Sequence, residues 1–423
     1  MNLFSQERDA KPTLPAIYEL AVFKRALTRL IFLTNIGLEI TLVTGVVSGP
    51  TFERLFHLSK TQLGFSLGAT SIGILVMSLA TGHLTQRRGS FPMLISGLVG
   101  VMVGIVLIIL ARDFLTLTSG LAVVGIAAAF IANANSTVLA DLFREKLRQV
   151  MSLASAIWFT ASAVSAPAIG KWLELARDRD WSTWSFRTPY LFNFLFVGVC
   201  LLLTHRIARR ITKSPVKKSS QISSTRREQM TLHAPMTRQW FWIPVLGFLH
   251  GLMILVMLVW LNPMGQTKFC ANEFQGALLV GMMAVGLATG RFLLSVVKTR
   301  WDDRLILAFS SFVGGTLFVL GLFAHRYWLT ISLMGIGGLM SSATFPCILS
   351  LVGTKFVEIK AKVYGYMEAS IGLSGLVGPT FVGILADYGL SLPLAMVISP
   401  LAACVLCFCS LLWKFQDSRR IDT

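Results

Sequence analysis

Residues 33–45, LTNIGLEITLVTG, place one carboxylate in the middle of an apolar stretch that runs from Ala26 to Pro50. A stretch of this length can cross the hydrocarbon core of a bilayer, which takes about 20 residues as a helix. A carboxylate at that depth costs roughly 2.5 kcal/mol or more on insertion scales. The chain nevertheless carries Glu39 there, which indicates that this side chain has a function.

The composition of the whole chain is that of a membrane protein. Apolar residues make up 54% of it and charged residues 14%, whereas soluble proteins carry about 25% charged residues. The net charge of +18 would suggest nucleic-acid binding. However, most Lys and Arg residues fall in the connecting segments that lie on the same side of the membrane as the N-terminus. This bias predicts that both termini are cytoplasmic, and that the basic residues meet anionic lipid headgroups rather than nucleic acid.

Further apolar segments along the chain are long enough to cross a bilayer. Twelve segments are predicted in all, at about 26–50, 62–84, 91–111, 114–140, 148–173, 187–205, 240–262, 275–297, 303–324, 327–351, 361–387 and 391–413. The long connection at 206–239 is basic and rich in Ser and Thr, which is typical of a flexible linker. We therefore predict an all-α membrane protein of two six-helix bundles, with an N-terminal segment 1–25, a first bundle 26–205, the linker 206–239, a second bundle 240–413 and a tail 414–423.

The two predicted bundles repeat each other. The fifth segment contains SAVSAPAIG at 162–170 and the eleventh contains SGLVGPTFVG at 374–383, with their prolines 212 positions apart. The same offset pairs Glu39 with the neighbour of His250, in the middle of the seventh segment. Two similar halves with ionisable groups near the midplane are the architecture of a secondary transporter. Since no catalytic or metal-binding motif is found, we expect neither enzymatic activity nor a cofactor or metal.

Several motifs resemble the major facilitator superfamily. The sequence GHLTQRRG at 82–89 is similar to its Gly-x-Leu-x-Asp-Arg-x-Gly turn, which implies gating roles for Gln86 and Arg87, although Gln86 replaces the aspartate. The motif around Pro167 is similar to one in drug–proton antiporters. The second half, with GRF at 290–292, ATFPCILSL at 343–351 and YG at 364–365, resembles the fucose, galactose and glucose–proton symporters. These resemblances imply the major facilitator fold and proton-coupled transport.

Glu39 and His250 are the candidate proton-coupling residues. A low dielectric disfavours an ionised carboxyl group, so Glu39 can be neutral at one stage of a cycle and charged at another. The structural alternative is a carboxyl group that stays neutral and only bonds a neighbouring helix. His250 can exchange a proton with Glu39, bind an anionic substrate or simply pack.

The other embedded polar side chains are candidates for substrate binding or gating. Candidate substrate-binding residues are Asn35, Asn133, Asn135, Trp158, Thr160, Asn193 and Asn262, the last of which precedes a proline that would end its helix. Candidate gating or structural residues are Gln86, Arg87, Arg291, Glu368, Pro167 and Pro379, with Glu368 a hypothetical counter-ion of Arg291.

We expect a monomeric cell-membrane transporter that imports a small polar solute, such as a hexose, together with protons or another cation. Two alternatives stay open. Proton antiport that exports amphipathic compounds is favoured by the motif around Pro167 and by the scarcity of amide side chains. A sensor or scaffold that does not transport would use the 206–239 segment to bind a partner.

Overall fold

A computed structural model describes residues 14–143, 146–181, 184–212, 241–297, 301–355 and 360–412. Within these ranges the chain forms sixteen α-helices and no β-strand. The first half contains α1 Leu14–Val47, α2 Gly49–Phe56, α3 Lys60–Gly68, α4 Thr70–Arg88, α5 Ser90–Ile109, α6 Phe114–Leu142, α7 Leu147–Asp178 and α8 Arg187–Thr212. The second half contains α9 Trp242–Phe269, α10 Glu273–Val296, α11 Asp303–Phe323, α12 Tyr327–Ser341, α13 Thr344–Lys355, α14 Lys360–Asp387, α15 Leu392–Ala395 and α16 Ile398–Leu412.

Twelve stretches of the described helices are long and apolar enough to cross a membrane, and each overlaps a predicted segment. The predicted twelve-helix membrane architecture is therefore confirmed. Three crossings are built from two consecutive helices, namely α3 with α4, α12 with α13 and α15 with α16. The first seven residues of the predicted linker continue α8, while 213–239 lie outside the described residues, as do 1–13 and 414–423.

We call the end of the bundle where α8 ends and α9 begins the linker face, and the other end the opposite face. Three helices begin at the opposite face with the same device, since Ser59, Asp113 and Asn272 each accept a hydrogen bond from a backbone N–H of the first turn. The residue three positions later returns a bond to the capping residue, which completes a capping box. The backbone and hydroxyl hydrogen bonds from Thr116 lower the pKa of Asp113.

Glycines allow helix backbones of the first half to touch. A Cβ atom on Gly73 of α4 would lie 2.0 Å from the carbonyl carbon of Gly125 on α6. A Cβ atom on Gly125 would lie 1.9 Å from the carbonyl oxygen of Thr70. Such close approach is how membrane helices gain packing energy in the absence of a hydrophobic driving force.

We expect Gly125→Ala to destabilise the first half by about 1–3 kcal/mol or more, because the added methyl group meets backbone rather than a movable side chain. The melting temperature of the purified protein in detergent measures this effect. Gly198→Ala is the matched control, since a Cβ atom there would lie 3.7 Å from the terminal methyl group of Met102. Equal melting temperatures for the two variants would contradict the backbone contact.

The two halves meet through α7 with α10 and through α14 with α3 and α4. The prolines of the repeated motif, Pro167 and Pro379, lie inside α7 and α14, at these two contacts. A Cβ atom on Gly281 would lie 3.1 Å from the Cδ atom of Pro167, and one on Gly64 would lie 2.3 Å from the carbonyl oxygen of Pro379. The repeat found in the sequence thus forms two corresponding interfaces between the halves.

The prolines also explain why glycines stand opposite them. A proline inside a helix removes the hydrogen bond to the carbonyl four residues earlier, which here is that of Ala163 or Gly375. Those carbonyl oxygens lie 3.4 Å and 2.9 Å from the Cβ positions of Gly281 and Gly68 in the other half. A glycine at each place lets the second backbone approach the carbonyl that the proline leaves without its helical partner.

Candidate functional site

Glu39 lies in the middle of the crossing formed by α1, where its side chain is 7% exposed. The hydroxyl group of Ser162, on α7 of the same half, donates a hydrogen bond to its Oε1 atom. Ser162 is the first residue of the repeated motif, so the motif supplies both an interface between the halves and a bond to the buried carboxyl group.

A buried positive charge from the other half lies within electrostatic reach of Glu39. It belongs to Arg291 on α10, which is 7% exposed. No ion pair in the described part of the chain joins the two side chains directly. The guanidinium carbon lies 4.6 Å from the ring centroid of Phe159 and 5.5 Å from that of Phe345. The buried Nε atom of Arg291 has no hydrogen-bond partner.

His250 on α9 is buried beside the same groups. Its Nδ1 atom lies 2.9 Å from the hydroxyl oxygen of Thr344, and its ring stacks on that of Phe345 with centroids 5.7 Å apart. His250 also lies within electrostatic reach of Arg291. Glu368, the second carboxyl group embedded in the helices, is half-buried on α14. The carboxyl group within electrostatic reach of Arg291 is that of Glu39.

Side chains of five helices thus converge inside the bundle, two helices from the first half and three from the second. We call this group the central site; it consists of Glu39, Phe159, Ser162, His250, Arg291, Thr344 and Phe345. Sequence reasoning selected the three ionisable residues but missed the other four. The signal for Ser162 was its place in the repeat, and that for Thr344 and Phe345 was their place in the motif at 343–351. A lone phenylalanine in an apolar segment, such as Phe159, carries no signal.

Asn35 and Asn135, both candidates from the sequence, bond each other within the first half. The Nδ2 atom of Asn135 on α6 donates to the Oδ1 atom of Asn35 at 2.7 Å and to the hydroxyl oxygen of Thr34 at 3.1 Å. All three side chains are buried. This network joins α1 to α6, one turn from Glu39 towards the linker face.

Two further candidate asparagines bond backbone of α1. Asn193 on α8 is buried, and its Nδ2 atom donates to the carbonyl oxygen of Gly37 at 3.2 Å. Asn262 on α9 donates across the halves to the carbonyl oxygen of Val47 at 2.6 Å. The sequence predicted that the helix would end at Pro263. This was wrong, because the helix continues to Phe269. Asn262 therefore lies in a contact between the halves near the opposite face.

The other candidates occupy less central positions. Trp158 is half-buried against the main apolar core, and Asn133 is half-buried on α6. Thr160 is exposed on α7 and donates to the carbonyl oxygen of Ala156 at 2.8 Å, which satisfies its hydroxyl group within its own helix. Gln86 and Arg87 end α4, but their side chains lie outside the described residues.

An apolar groove opens on the side of the first half. It has a volume of about 400 Å³ and lies between α1, α7 and α8, lined among others by Ile40, Trp172, Phe192 and Asn193. Phe192 is 67% exposed, so the groove faces outward from the bundle. It is formed by one half alone and is separate from the central site.

At the opposite face, charged side chains tie the halves together. Glu273, at the start of α10, is 2% exposed and pairs with Arg54 at 2.6 Å and with Arg177 at 2.9 Å, both in the first half. Asp387, at the end of α14, accepts bonds from the backbone N–H groups of Lys60 and Thr61 at 2.9 Å and 2.8 Å. The halves are therefore closed against each other at this face, and neither carboxylate was selected from the sequence.

Comparisons with known proteins agree with this architecture. The solved structure of the Escherichia coli fucose:proton symporter aligns with a TM-score of 0.65 over 93% of this chain and 99% of that one, at 17% sequence identity. A structure of the Major Facilitator Superfamily transporter FucP in the outward conformation aligns with a TM-score of 0.64 over 92% of this chain and 99% of that one, at 18% identity. At these identities the likeness shows the fold.

Sequence comparison adds a more similar relative and the family itself. The chain is 25% identical over 388 residues to Multidrug resistance protein 1 of Bacillus subtilis (strain 168), covering 88% of this chain and 92% of that protein. The profile of the Major Facilitator Superfamily matches residues 30–317 and 263–422, which together span nearly the whole chain. With twelve membrane-crossing helices in two halves that meet around a buried polar site, this chain is an integral membrane transporter that belongs to the Major Facilitator Superfamily.

Proposed function

We propose that this transporter couples the movement of protons to that of a small polar solute by alternating access, with Glu39 as the proton-binding residue. The observation that carries the proposal is the position of Glu39. Its carboxyl group is buried in the middle of α1, bonded by Ser162 of its own half and placed within electrostatic reach of Arg291 of the other half.

Such a position links the protonation of Glu39 to the arrangement of the halves. When Arg291 is near, its positive charge stabilises the ionised carboxylate. When the halves rearrange and Arg291 withdraws, the buried carboxylate loses that compensation and its neutral form is favoured instead. A proton that binds in one arrangement and leaves in the other is what coupling requires.

The solute class first suggested by these comparisons is a sugar, because the fold is that of a fucose:proton symporter. A second candidate is the export of amphipathic compounds in exchange for protons. It is supported by the likeness to Multidrug resistance protein 1 and by the apolar groove between α1, α7 and α8, whose aromatic lining suits an amphipathic molecule. We favour import of a polar solute, since the groove lies outside the interface between the halves.

The test uses the full chain reconstituted in liposomes that contain a pH-sensitive dye. Addition of a transported solute is expected to acidify the lumen with the native chain, and Glu39→Gln is expected to reduce this proton entry to the level of empty liposomes. Exchange of labelled solute across the membrane is expected to continue in Glu39→Gln, because exchange needs no net proton movement. Retained exchange would also show that the variant is folded.

Glu368→Gln is the matched control, since it removes the other embedded carboxyl group without changing its size. We expect proton entry to continue in this variant. Solute-driven proton entry that survives in Glu39→Gln would refute Glu39 as the coupling residue. Proton release that accompanies loss of a preloaded amphipathic dye, with no response to any polar solute, would support the export candidate instead.

A further inference from the structure

The central site contains a buried positive charge with a hydrogen-bond donor, Nε of Arg291, that no described residue uses. An arginine side chain stays charged in proteins and carries five N–H donors. Arg291 is 7% exposed, its Nε atom has no partner, and it takes part in none of the ion pairs of the described residues. Burying a guanidinium group without using its donors is costly unless a ligand uses them.

The surroundings of Arg291 leave these donors free for a ligand. The guanidinium group packs over the rings of Phe159 and Phe345, one from each half of the protein. Attraction between a cation and an aromatic face depends on charge, so it does not require the N–H groups to form conventional hydrogen bonds. The fork of two parallel N–H groups matches the two oxygens of a carboxylate.

We propose that Arg291 binds the carboxylate of a small organic acid, which replaces Glu39 as the compensating negative charge while Glu39 takes up the transported proton. This rests on the proposed function, because it requires Glu39 to be the proton-binding residue. The solute would be a small acid, such as a hydroxy acid or a sugar acid, whose carbon skeleton contacts the two phenylalanine rings.

The charges of the site balance in this scheme. Without the solute, the site holds the positive charge of Arg291 and the negative charge of Glu39. With it, the site holds Arg291, the carboxylate of the solute and a neutral Glu39, because two ionised carboxylates beside one guanidinium group repel each other. One anion and one proton therefore cross together without net charge movement, with the protonation state of His250 unchanged throughout.

The other ionisable groups around Arg291 come from different helices. His250 on α9 faces it and is hydrogen-bonded to Thr344 through Nδ1, which leaves its second ring nitrogen available to the solute. Glu368 on α14 shows no electrostatic interaction with Arg291. Among the described residues, Glu39 is thus the carboxyl group placed to exchange roles with the solute.

The test compares acids with neutral analogues of nearly the same shape. The probes are lactate with lactamide and glucuronate with glucose, added to the purified full chain while its thermal stability is measured. The acids are expected to stabilise the native protein and the neutral analogues are not. Arg291→Lys is expected to weaken acid binding about tenfold, because it keeps the charge but loses the fork, and Arg291→Gln roughly 100-fold.

The double variant Glu39→Gln with Arg291→Gln guards against misfolding, since it removes both embedded charges and leaves the site neutral. We expect it to be as stable as the native protein and to bind no acid. Acid binding that is unchanged in Arg291→Gln or in the double variant would overturn the proposal and leave Arg291 a packing residue. Failure of both acids to bind the native protein would also overturn it.

Proton entry into liposomes separates this inference from the proposed function. Entry driven by the acids, lost in Glu39→Gln and insensitive to an imposed membrane potential, supports both. Entry driven equally by glucose and lactamide, with Glu39 required, would sink the acid inference and keep the function. Acid binding that depends on Arg291, together with proton entry that does not depend on Glu39, would refute the coupling role and with it the exchange of charges.

Discussion

Gly64→Ala is expected to reduce transport by roughly 5- to 150-fold while the protein remains folded. A Cβ atom at this position would lie 2.3 Å from the carbonyl oxygen of Pro379 and 2.8 Å from its carbonyl carbon, in the other half. Backbone cannot move aside as a flexible side chain can, so the closed arrangement at the opposite face is strained. Overpacking of this kind costs about 1–3 kcal/mol. This cost lowers the population of the closed state, and with it the rate of transport, by the same roughly 5- to 150-fold.

The shift can be measured as a distance between the halves. His57 and Tyr388 are exposed at the opposite face, one in each half, and serve as positions for spin labels in a cysteine-free background. We expect a longer label-to-label distance in Gly64→Ala than in the native sequence. Gly198→Ala is the control because its Cβ atom would meet nothing nearer than 3.7 Å. A short distance in Gly64→Ala with unimpaired transport would contradict the role of this contact.

Glu273→Gln is expected to open the same face by removing a charge instead of adding a methyl group. Glu273 is 2% exposed and accepts charge-assisted bonds from Arg54 and Arg177 of the other half. Because these arginines are 48% and 52% exposed, water and dissolved ions screen their charges and weaken the two ion pairs. We expect a destabilisation of the closed state by about 1–2 kcal/mol, a factor of about 5–30 in its population.

The same pair of spin labels reports this change, and high salt should reproduce part of it in the native protein, because the exposed arginines are screened. Glu53→Gln is the matched control. Glu53 pairs with Lys60 at 2.6 Å, but both residues belong to the first half. If Glu53→Gln and Glu273→Gln lengthened the distance equally, the ion pairs across the halves would not be what holds this face closed.

Much of the fold could be predicted because hydropathy is a local property. Each crossing can be recognised from its own length and composition, and the proline motif at 162–170 and 374–383 shows that the two halves repeat each other. The sequence also selected Glu39, since an ionisable residue in an apolar segment stands out wherever the segment packs. The end of α9 was less predictable, because the surrounding helices keep it helical past Pro263.

The partners of these residues could not be predicted. Glu368 was the predicted counter-ion of Arg291, but the carboxyl group within electrostatic reach of Arg291 is that of Glu39, and two phenylalanine rings lie beside the guanidinium group. Glu273 gave no signal, because a carboxylate at the start of a helix is ordinary until Arg54 and Arg177 are seen to converge on it.

The sequence by itself thus determined that the protein lies in a membrane, the number of its crossings, its twofold repeat and the two residues that carry embedded carboxyl groups. Tertiary structure alone decided which charges meet, which backbones touch and which face is closed. The physical reason is that hydropathy and helix formation depend on neighbours along the chain. Electrostatic and packing partners depend on how helices from different halves are rotated and paired.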